Sequence, residues 1–501
     1  MHNRKRNIIT TLISQFVTTA CGVMIPYVMI SYFGSATYGL TTSIAQFLSY
    51  ITLLEGGITS VARAELYSPL ATKDNMQISK VYHAIKRFFS LVGIAFLAYT
   101  LAISLVYYDI AHVADVSRTY IFFLVWIISL NTIAKYLVGL SDLTLLVADQ
   151  KQYVMNVIVT TATISNALMV VLLAKFGCDL LAVKIGSSLV FVAQPIGYAI
   201  YVRKHYKLPP VGKNRSKLQQ KWTGMGQHFA YFIHRNTDVV ILTLFADLRY
   251  VAVYSVYRLV ISSIRNIAGS FSSGMEAALG EMIAKKEKKS LYDAFFKYKH
   301  LLSFMTIVLF GTTAVLIVPF VKLYTQGIHD VNYIQPAFAV VLLFAEAIDC
   351  FMCPCISLPI SANKLKETRW GSYGEAIINI VLSLILVRWK SLLGIALATL
   401  IATVFKALFY MIYSAKNILQ IKLGEVLKNF LLTNGLIFLF AAAGYFLMAE
   451  NLISNYVQWA LCGCGVVGVV CVVTAVVYYL AYPAAFKEIL ISLLHKIKRR
   501  A

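Results

Sequence analysis

The residues best suited to chemistry are ionisable side chains set inside long apolar runs. One run carries His234, Arg235 and Asp238. His234 and Asp238 are four apart and Arg235 and Asp238 three apart, so both pairs can meet on a helix. Such a group suits a cation or proton site, or a counter-ion for Arg235. The next run holds Arg258 and Arg265, seven apart, with Tyr254 four before Arg258. Two helical turns place all three on one face. Arginine stays charged and grips phosphate oxygens bidentately, so this face reads as an anion-binding wall. The bland alternative is that each arginine pairs with a carboxylate on another helix. Glu346 and Asp349, three apart in a later run, suit either cation binding or that balancing role. Glu55 stands before Gly56-Gly57, where the backbone can loosen. Lys135, Lys184 and Lys406 lie toward the ends of their runs, where snorkelling competes with a cavity-facing role. Glu276 and Glu375 fall near expected inner ends and are expected to be solvated.

These groups need elements that hold them away from water. Of the 501 residues, 59% are hydrophobic and 13% charged. A soluble domain carries roughly 25% charged residues, so lipid is the solvent that fits. A net charge of +23 invites a nucleic-acid reading. The basic residues sit instead in short segments between apolar runs, which is the pattern of a membrane protein with no nucleic-acid partner. Seven of the eight cysteines, all but Cys178, lie within apolar runs. Cys350, Cys353 and Cys355 read as small buried residues and not as a metal or redox motif. The first apolar run is too long for a cleavable signal and reads as an uncleaved span.

With about 20 apolar residues needed per crossing, the spans are expected at 8–30, 42–63, 88–110, 119–140, 154–174, 179–201, 225–246, 252–275, 301–320, 336–358, 371–388, 392–413, 430–449 and 457–481. Counted with both termini in the cytoplasm, and with Arg63 at the end of its span taken as inside, 33 of the 45 Lys and Arg fall in inner segments, 6 in outer loops and 6 within spans. Trp222, Trp370 and Trp389 fall at span ends. Pro26, Pro195, Pro354 and Pro359 interrupt spans and permit bending. The turns Phe33…Tyr38 and Phe245…Tyr250 match at an offset of 212 residues, a hint of duplication. The outer loops are short, so any function belongs to the helices. No phosphate-binding loop, metal-spaced histidine cluster or nucleophile elbow stands out. The chain reads as a transporter and not an enzyme, with no cofactor, driven by an ion gradient or by its substrate.

The stretch Ile25-Pro26 through Tyr32-Phe33-Gly34-Ser35-Ala36-Thr37-Tyr38-Gly39-Leu40, with Gln46-Phe47-Leu48-Ser49-Tyr50 and Leu53-Leu54-Glu55-Gly56-Gly57-Ile58, resembles bacterial polysaccharide flippases of the Wzx type. That resemblance implies an all-α fold of about fourteen transmembrane helices like that of the multidrug/oligosaccharidyl-lipid/polysaccharide exporters. It implies two six-helix lobes in a V around a cavity, at 1–224 and 225–429, with the last two helices and a basic tail at 430–501. It also implies the cargo, an undecaprenyl-pyrophosphate-linked O-antigen or capsule repeat unit moved to the outer leaflet of the bacterial plasma membrane. Arg258 and Arg265 fit the pyrophosphate-holding role, seconded by Arg235 and Lys135. Asp238, His234, Glu346, Asp349 and Glu55 are the candidates for coupling to H⁺ or Na⁺ or for counter-ions. Membrane lipid, and the polymerase and chain-length proteins of the same pathway, are the implied partners. A drug or organic-cation antiporter of the same fold is the nearest rival, expected to prefer an acidic, aromatic cavity. A glycan polymerase or ligase is remote, because it needs a large outer loop.

Overall fold

A computed structural model describes residues 2–55, 57–111, 116–211, 225–270, 275–447 and 453–487. Trp222 and Gly56, and the side chains of Arg4, His228 and Glu276, lie outside the described residues.

The described chain is helical from end to end. Its first half comprises α1 (His2–Phe33), α2 (Ser35–Ser49), a tight 3₁₀ stretch (Tyr50–Glu55), α3 (Ile58–Thr72), α4 (Asn75–Ile110), α5 (Arg118–Ala134), a π-helical stretch (Lys135–Gly139), α6 (Leu140–Ala148), α7 (Gln152–Lys175) and α8 (Leu180–His205). The second half comprises α9 (Met225–Phe245), α10 (Leu248–Ser270), α11 (Met275–Ala284), α12 (Lys288–Tyr324), α13 (Pro336–Phe351), α14 (Cys353–Ser361), α15 (Leu365–Leu386), α16 (Ser391–Tyr413), α17 (Leu423–Leu447) and α18 (Tyr456–Ala481).

Local sequence explains the breaks. Gly34 has φ 82° between α1 and α2, and Gly57 has φ 79° ahead of α3, a region open to glycine at little cost. The Asp74, Ser117, Asp179 and Asn455 side chains each accept a backbone N–H at a helix start, as N-caps do. Pro26 and Pro195 lie inside continuous helices, whereas Pro354 opens α14 just after a break at Met352.

In their described residues, all fourteen expected spans fall on helical segments of this order; 42–63, 252–275 and 430–449 also run over residues outside the described ones. Among the described residues ten helices are long and apolar enough to cross a membrane, or up to eleven if the bent pair Ser35–Glu55 and Ile58–Thr72, at 46°, counts as one span. The helices α9, α10 and α15 fall short of that test. In α9 and α10 the reason is the buried charges themselves. The apolar surface faces outward: Phe16 is 77% and Leu480 74% exposed. Water would penalise such faces and lipid does not. The chain is a multi-pass membrane protein.

Two compact units divide the chain. The first is residues 1–232 with 242–252, the second 233–241 with 253–501. In the first unit Ile44, Leu66, Ile85, Phe89, Phe96, Tyr107, Ile121 and Leu124 form a common core. In the second, α15 packs on α16, α16 on α13, and α12 on α13, α17 and α18. Its core includes Leu279, Phe295, Phe351, Leu358, Tyr410 and Met411.

Candidate functional site

In the second unit His234, Arg235, Arg258, Arg265, Glu346, Asp349, Glu375 and Lys406 converge on one network carried by five helices. Glu346 and Asp349 are one turn apart on α13, each 9% exposed. Ionised carboxylates so placed must be paired, because their hydration is lost. Glu346 accepts from Arg235 Nη1 at 3.2 Å and from Arg265 Nη1 at 2.9 Å. Asp349 accepts from Arg265 Nη2 at 2.5 Å and from Lys406 Nζ at 3.0 Å. Lys406, on α16, also reaches Glu375 on α15 at 3.1 Å. Glu375 in turn faces His234 Nε2 at 3.3 Å. The chain of contacts therefore runs from Arg235 through Glu346, Arg265, Asp349 and Lys406 to Glu375 and His234.

A second branch begins at Asp238 on α9, 1% exposed. It carries no direct ion pair among the contacts described. The Tyr254 hydroxyl donates to Asp238 Oδ2 at 2.8 Å, and Thr399 Oγ1 lies 3.3 Å from the same oxygen. Arg258 Nη1 donates to the Tyr254 oxygen at 2.7 Å and Arg258 Nη2 to the Arg235 carbonyl at 3.1 Å. The Arg258 ion pair with Glu346 is long, 4.0 Å, and its side chain is 27% exposed. Arg258 is thus the most open and most loosely paired of the arginines in this network.

Asn379 donates to Thr399 Oγ1 at 3.0 Å, while its own Oδ1 and Ser383 Oγ are buried with no hydrogen-bond partner among the described residues. Carboxylate, hydroxyl and amide oxygens in this corner suit a hard cation such as Na⁺. Among the described residues no group of three His, Cys, Asp or Glu could hold a metal ion.

The structure brings together His234, Arg235, Asp238, Arg258, Arg265, Glu346 and Asp349. The pairing differs from the local one expected: Arg235 reaches Glu346 on another helix, and Asp238 is met by Tyr254. Lys135 and Glu55 stand elsewhere, in the first unit. The Lys135 side chain is exposed, 6.0 Å from the Tyr136 ring, and Glu55 accepts from Tyr136 Oη at 2.5 Å. Two expectations are corrected. Glu375 is not solvated: it is 1% exposed, because it sits mid-helix on the face of α15 that packs on α16. Lys406 does not snorkel: it is 7% exposed and held between two carboxylates. Sequence reasoning passed over Thr399 and Asn379. Their signal, two polar residues facing each other across adjacent helices, is invisible before the helices are paired.

No family model matches the chain, and no curated protein matches it. Solved structures do. A structure titled lipid II flippase MurJ, in an inward closed conformation, aligns with a TM-score of 0.65 at 15% identity, over 95% of this chain and 99% of that one. The MATE multidrug transporter DinF-BH in complex with R6G aligns at 0.58 and 16% identity, over 84% and 96%. An inward-facing MATE family transporter of the MOP superfamily aligns at 0.51 and 11% identity, over 80% and 95%. At these identities what is shared is the architecture: the chain has the all-helical fold of the MurJ and MATE transporters.

Proposed function

We propose that this chain is a flippase for an anionic, lipid-linked glycan, with the pyrophosphate of an undecaprenyl-linked repeat unit held at Arg258 and its neighbours Arg265 and Arg235. The observation that carries this reading is Arg258, a guanidinium part-way open to its surroundings whose carboxylate partner stands 4.0 Å off. A phosphate oxygen is a better partner than Glu346 at that distance, and a guanidinium offers it two donors at once. A glycan-pyrophosphate head cannot cross hydrocarbon unaided, while its polyprenyl tail can stay in lipid. Alternating access past a polar site supplies the path. The fold shared with a lipid II flippase over nearly the whole chain supports this class of cargo. Asp238, with Thr399 and Asn379 beside it, is the place we assign to the coupling ion, H⁺ or Na⁺. The protein acts in the bacterial plasma membrane with both termini in the cytoplasm.

A second reading, an antiporter for organic cations, is favoured by one observation. Four carboxylates, Asp238, Glu346, Asp349 and Glu375, match four permanent cations, Arg235, Arg258, Arg265 and Lys406, so the network as a whole is charge-balanced. The two readings separate in proteoliposomes. The flippase moves a fluorescent undecaprenyl-pyrophosphate disaccharide between leaflets, and Arg258→Ala lowers the rate by at least about tenfold, the loss of roughly one charge-assisted hydrogen bond. Unchanged flipping in both Arg258→Ala and Arg265→Ala, with uptake of a cationic dye in its place, would sink the anion reading.

A further inference from the structure

The charges of the second unit differ in how they are balanced. Glu346, Asp349 and Glu375 touch their cations directly. Asp238 and Arg258 meet through a third group, the Tyr254 hydroxyl. That hydroxyl has one proton and gives it to Asp238, and its oxygen accepts from Arg258. The order is therefore carboxylate, phenol, guanidinium, in two bonds of 2.8 and 2.7 Å. Tyr254 is 1% and Asp238 1% exposed, so water does not bridge in its place from bulk. Tyr254 and Arg258 are four apart on α10 and share a face, which fixes their half of the chain of bonds.

We infer that Tyr254 is a positioning residue that couples a cation at Asp238 to an anion at Arg258. The inference rests on the flippase reading above and deepens it by giving the coupling a sign. Hydrogen bonds in series polarise one another. An ionised, cation-free Asp238 draws on the phenol proton, makes the phenol oxygen a stronger acceptor and holds Arg258 to it. A cation on Asp238 weakens that pull. Arg258 then keeps its charge with less compensation and turns to an external anion. Cation and anionic substrate thus favour each other's binding, and by linkage the effect is reciprocal. A cationic substrate would meet the opposite sign, since it would compete with the ion for Asp238.

The other groups facing this pair are His234 and Arg235 on α9 and Glu346 on α13, with Thr399 on α16. The test is run at one pH in every condition. The full chain in nanodiscs is titrated with farnesyl pyrophosphate, with farnesol as the uncharged control, in sodium chloride or in choline chloride at equal ionic strength. In the wild type, sodium raises pyrophosphate affinity by on the order of tenfold. If the coupling ion is a proton, sodium has no effect. Asp238→Asn, which carries the neutral form of that site, then binds by a similar factor more tightly than wild type. Tyr254→Phe keeps the ring and its packing but reduces either gain to less than about twofold, and combining it with Asp238→Asn restores nothing. A purely structural role for the hydroxyl would shift both affinities together and leave their ratio intact. The relay is overturned if Tyr254→Phe retains the full gain, if neither sodium nor Asp238→Asn changes affinity, or if sodium weakens binding. No saturable pyrophosphate binding under any condition would overturn the cargo reading, and the relay with it.

Discussion

The two units handle buried carboxylates in different ways. In the first, a tyrosine donates to the buried Asp142, through Tyr82, and to the half-buried Glu55 and Asp149, through Tyr136 and Tyr206. Among the described residues only Asp149 of the three also has a cation in contact, Lys151 at 2.9 Å. In the second, the partner is a cation: Arg265 and Arg235 for Glu346, Arg265 and Lys406 for Asp349, Lys406 for Glu375. A phenol satisfies hydrogen bonding but leaves the charge in place, which suits carboxylates near helix ends and breaks. Glu55 closes the 3₁₀ stretch, Tyr136 lies in the π-helical one, and Asp149 follows α6. A carboxylate in the middle of a packed helix needs its charge cancelled. Asp238 is the exception, a tyrosine-bound carboxylate amid the ion pairs. That is what singles it out for the coupling ion in the function proposed above.

The largest effect expected from breaking this pattern is at Lys406. Lys406→Ala leaves Asp349 with Arg265 alone and Glu375 with only His234. Removing one partner of a buried pair costs about 3–5 kcal/mol, enough to lower the amount of folded protein. Thermal unfolding followed by size-exclusion fluorescence should show a loss of many degrees. Lys406→Ala combined with Glu375→Gln, which removes the uncompensated charge, should recover part of it. A full-strength, wild-type melting curve for Lys406→Ala would show that the ion pairs of the second unit are no more demanding than the phenol bonds of the first.

This site was legible in part. Arg258, Arg265, Glu346 and Asp349 announced themselves because charge inside an apolar run has few innocent explanations. The helix-face argument also joined Tyr254 to Arg258 correctly. The pairing across helices was not legible. Arg235 lies three residues from Asp238 yet bonds Glu346, because helix packing brings that carboxylate of α13 within 3.2 Å of the guanidinium. Glu375 was misplaced by depth, and for Lys406 the sequence left two roles open. The apolar stretch around Glu375 gives no sign that α15 begins at Leu365 and so sets the carboxylate at its middle. Apolar run length marked where the long helices lie, but not the break at Gly57 within the expected span 42–63, nor α11 and the start of α12, which carry too many charges to read as apolar runs. The helices α9 and α10 fall short of an apolar span because of the polar residues they carry.

A middle-sized effect is expected where two helices meet backbone to backbone in the first unit. A Cβ on Gly39 of α2 would lie 1.9 Å from the Leu248 carbonyl oxygen, and Ser43 and Thr243 hydroxyls bond beside it at 2.5 Å. The obstacle is backbone, so it cannot swing aside. Gly39→Ala should cost about 1–3 kcal/mol by overpacking, measured as a lower melting temperature, whereas Gly22→Ala, with nothing within 4 Å of its added carbon, should cost nothing measurable. Equal melting temperatures for the two variants would mean that the α2 crossing yields, and that the first unit is held by its apolar core alone.

The smallest effect tests the tyrosine side of the comparison. Tyr206 lies just beyond α8 and donates to Asp149 Oδ2 at 2.5 Å, with Lys151 2.9 Å from the same carboxylate oxygen. Tyr206→Phe should cost about 1 kcal/mol, the net worth of one hydrogen bond, and less than Lys406→Ala by a wide margin. Its pH dependence has a definite sign. Burial, and after it the Asp149 carboxylate, raise the Tyr206 pKa above the ordinary phenol value. Ionisation is therefore harder in the folded chain than in the unfolded one. The hydroxyl's contribution is complete below the unfolded phenol pKa of about 10 and declines as pH rises through that value toward the raised one. The stability gap between wild type and Tyr206→Phe should accordingly narrow above about pH 10, read from chemical denaturation at a series of pH values. A gap that widens there would mean that Tyr206 is held as a phenolate by Lys151. Lys151 would then be shared between two anions, the phenolate and Asp149, and the tyrosine would no longer be a neutral partner in the first unit.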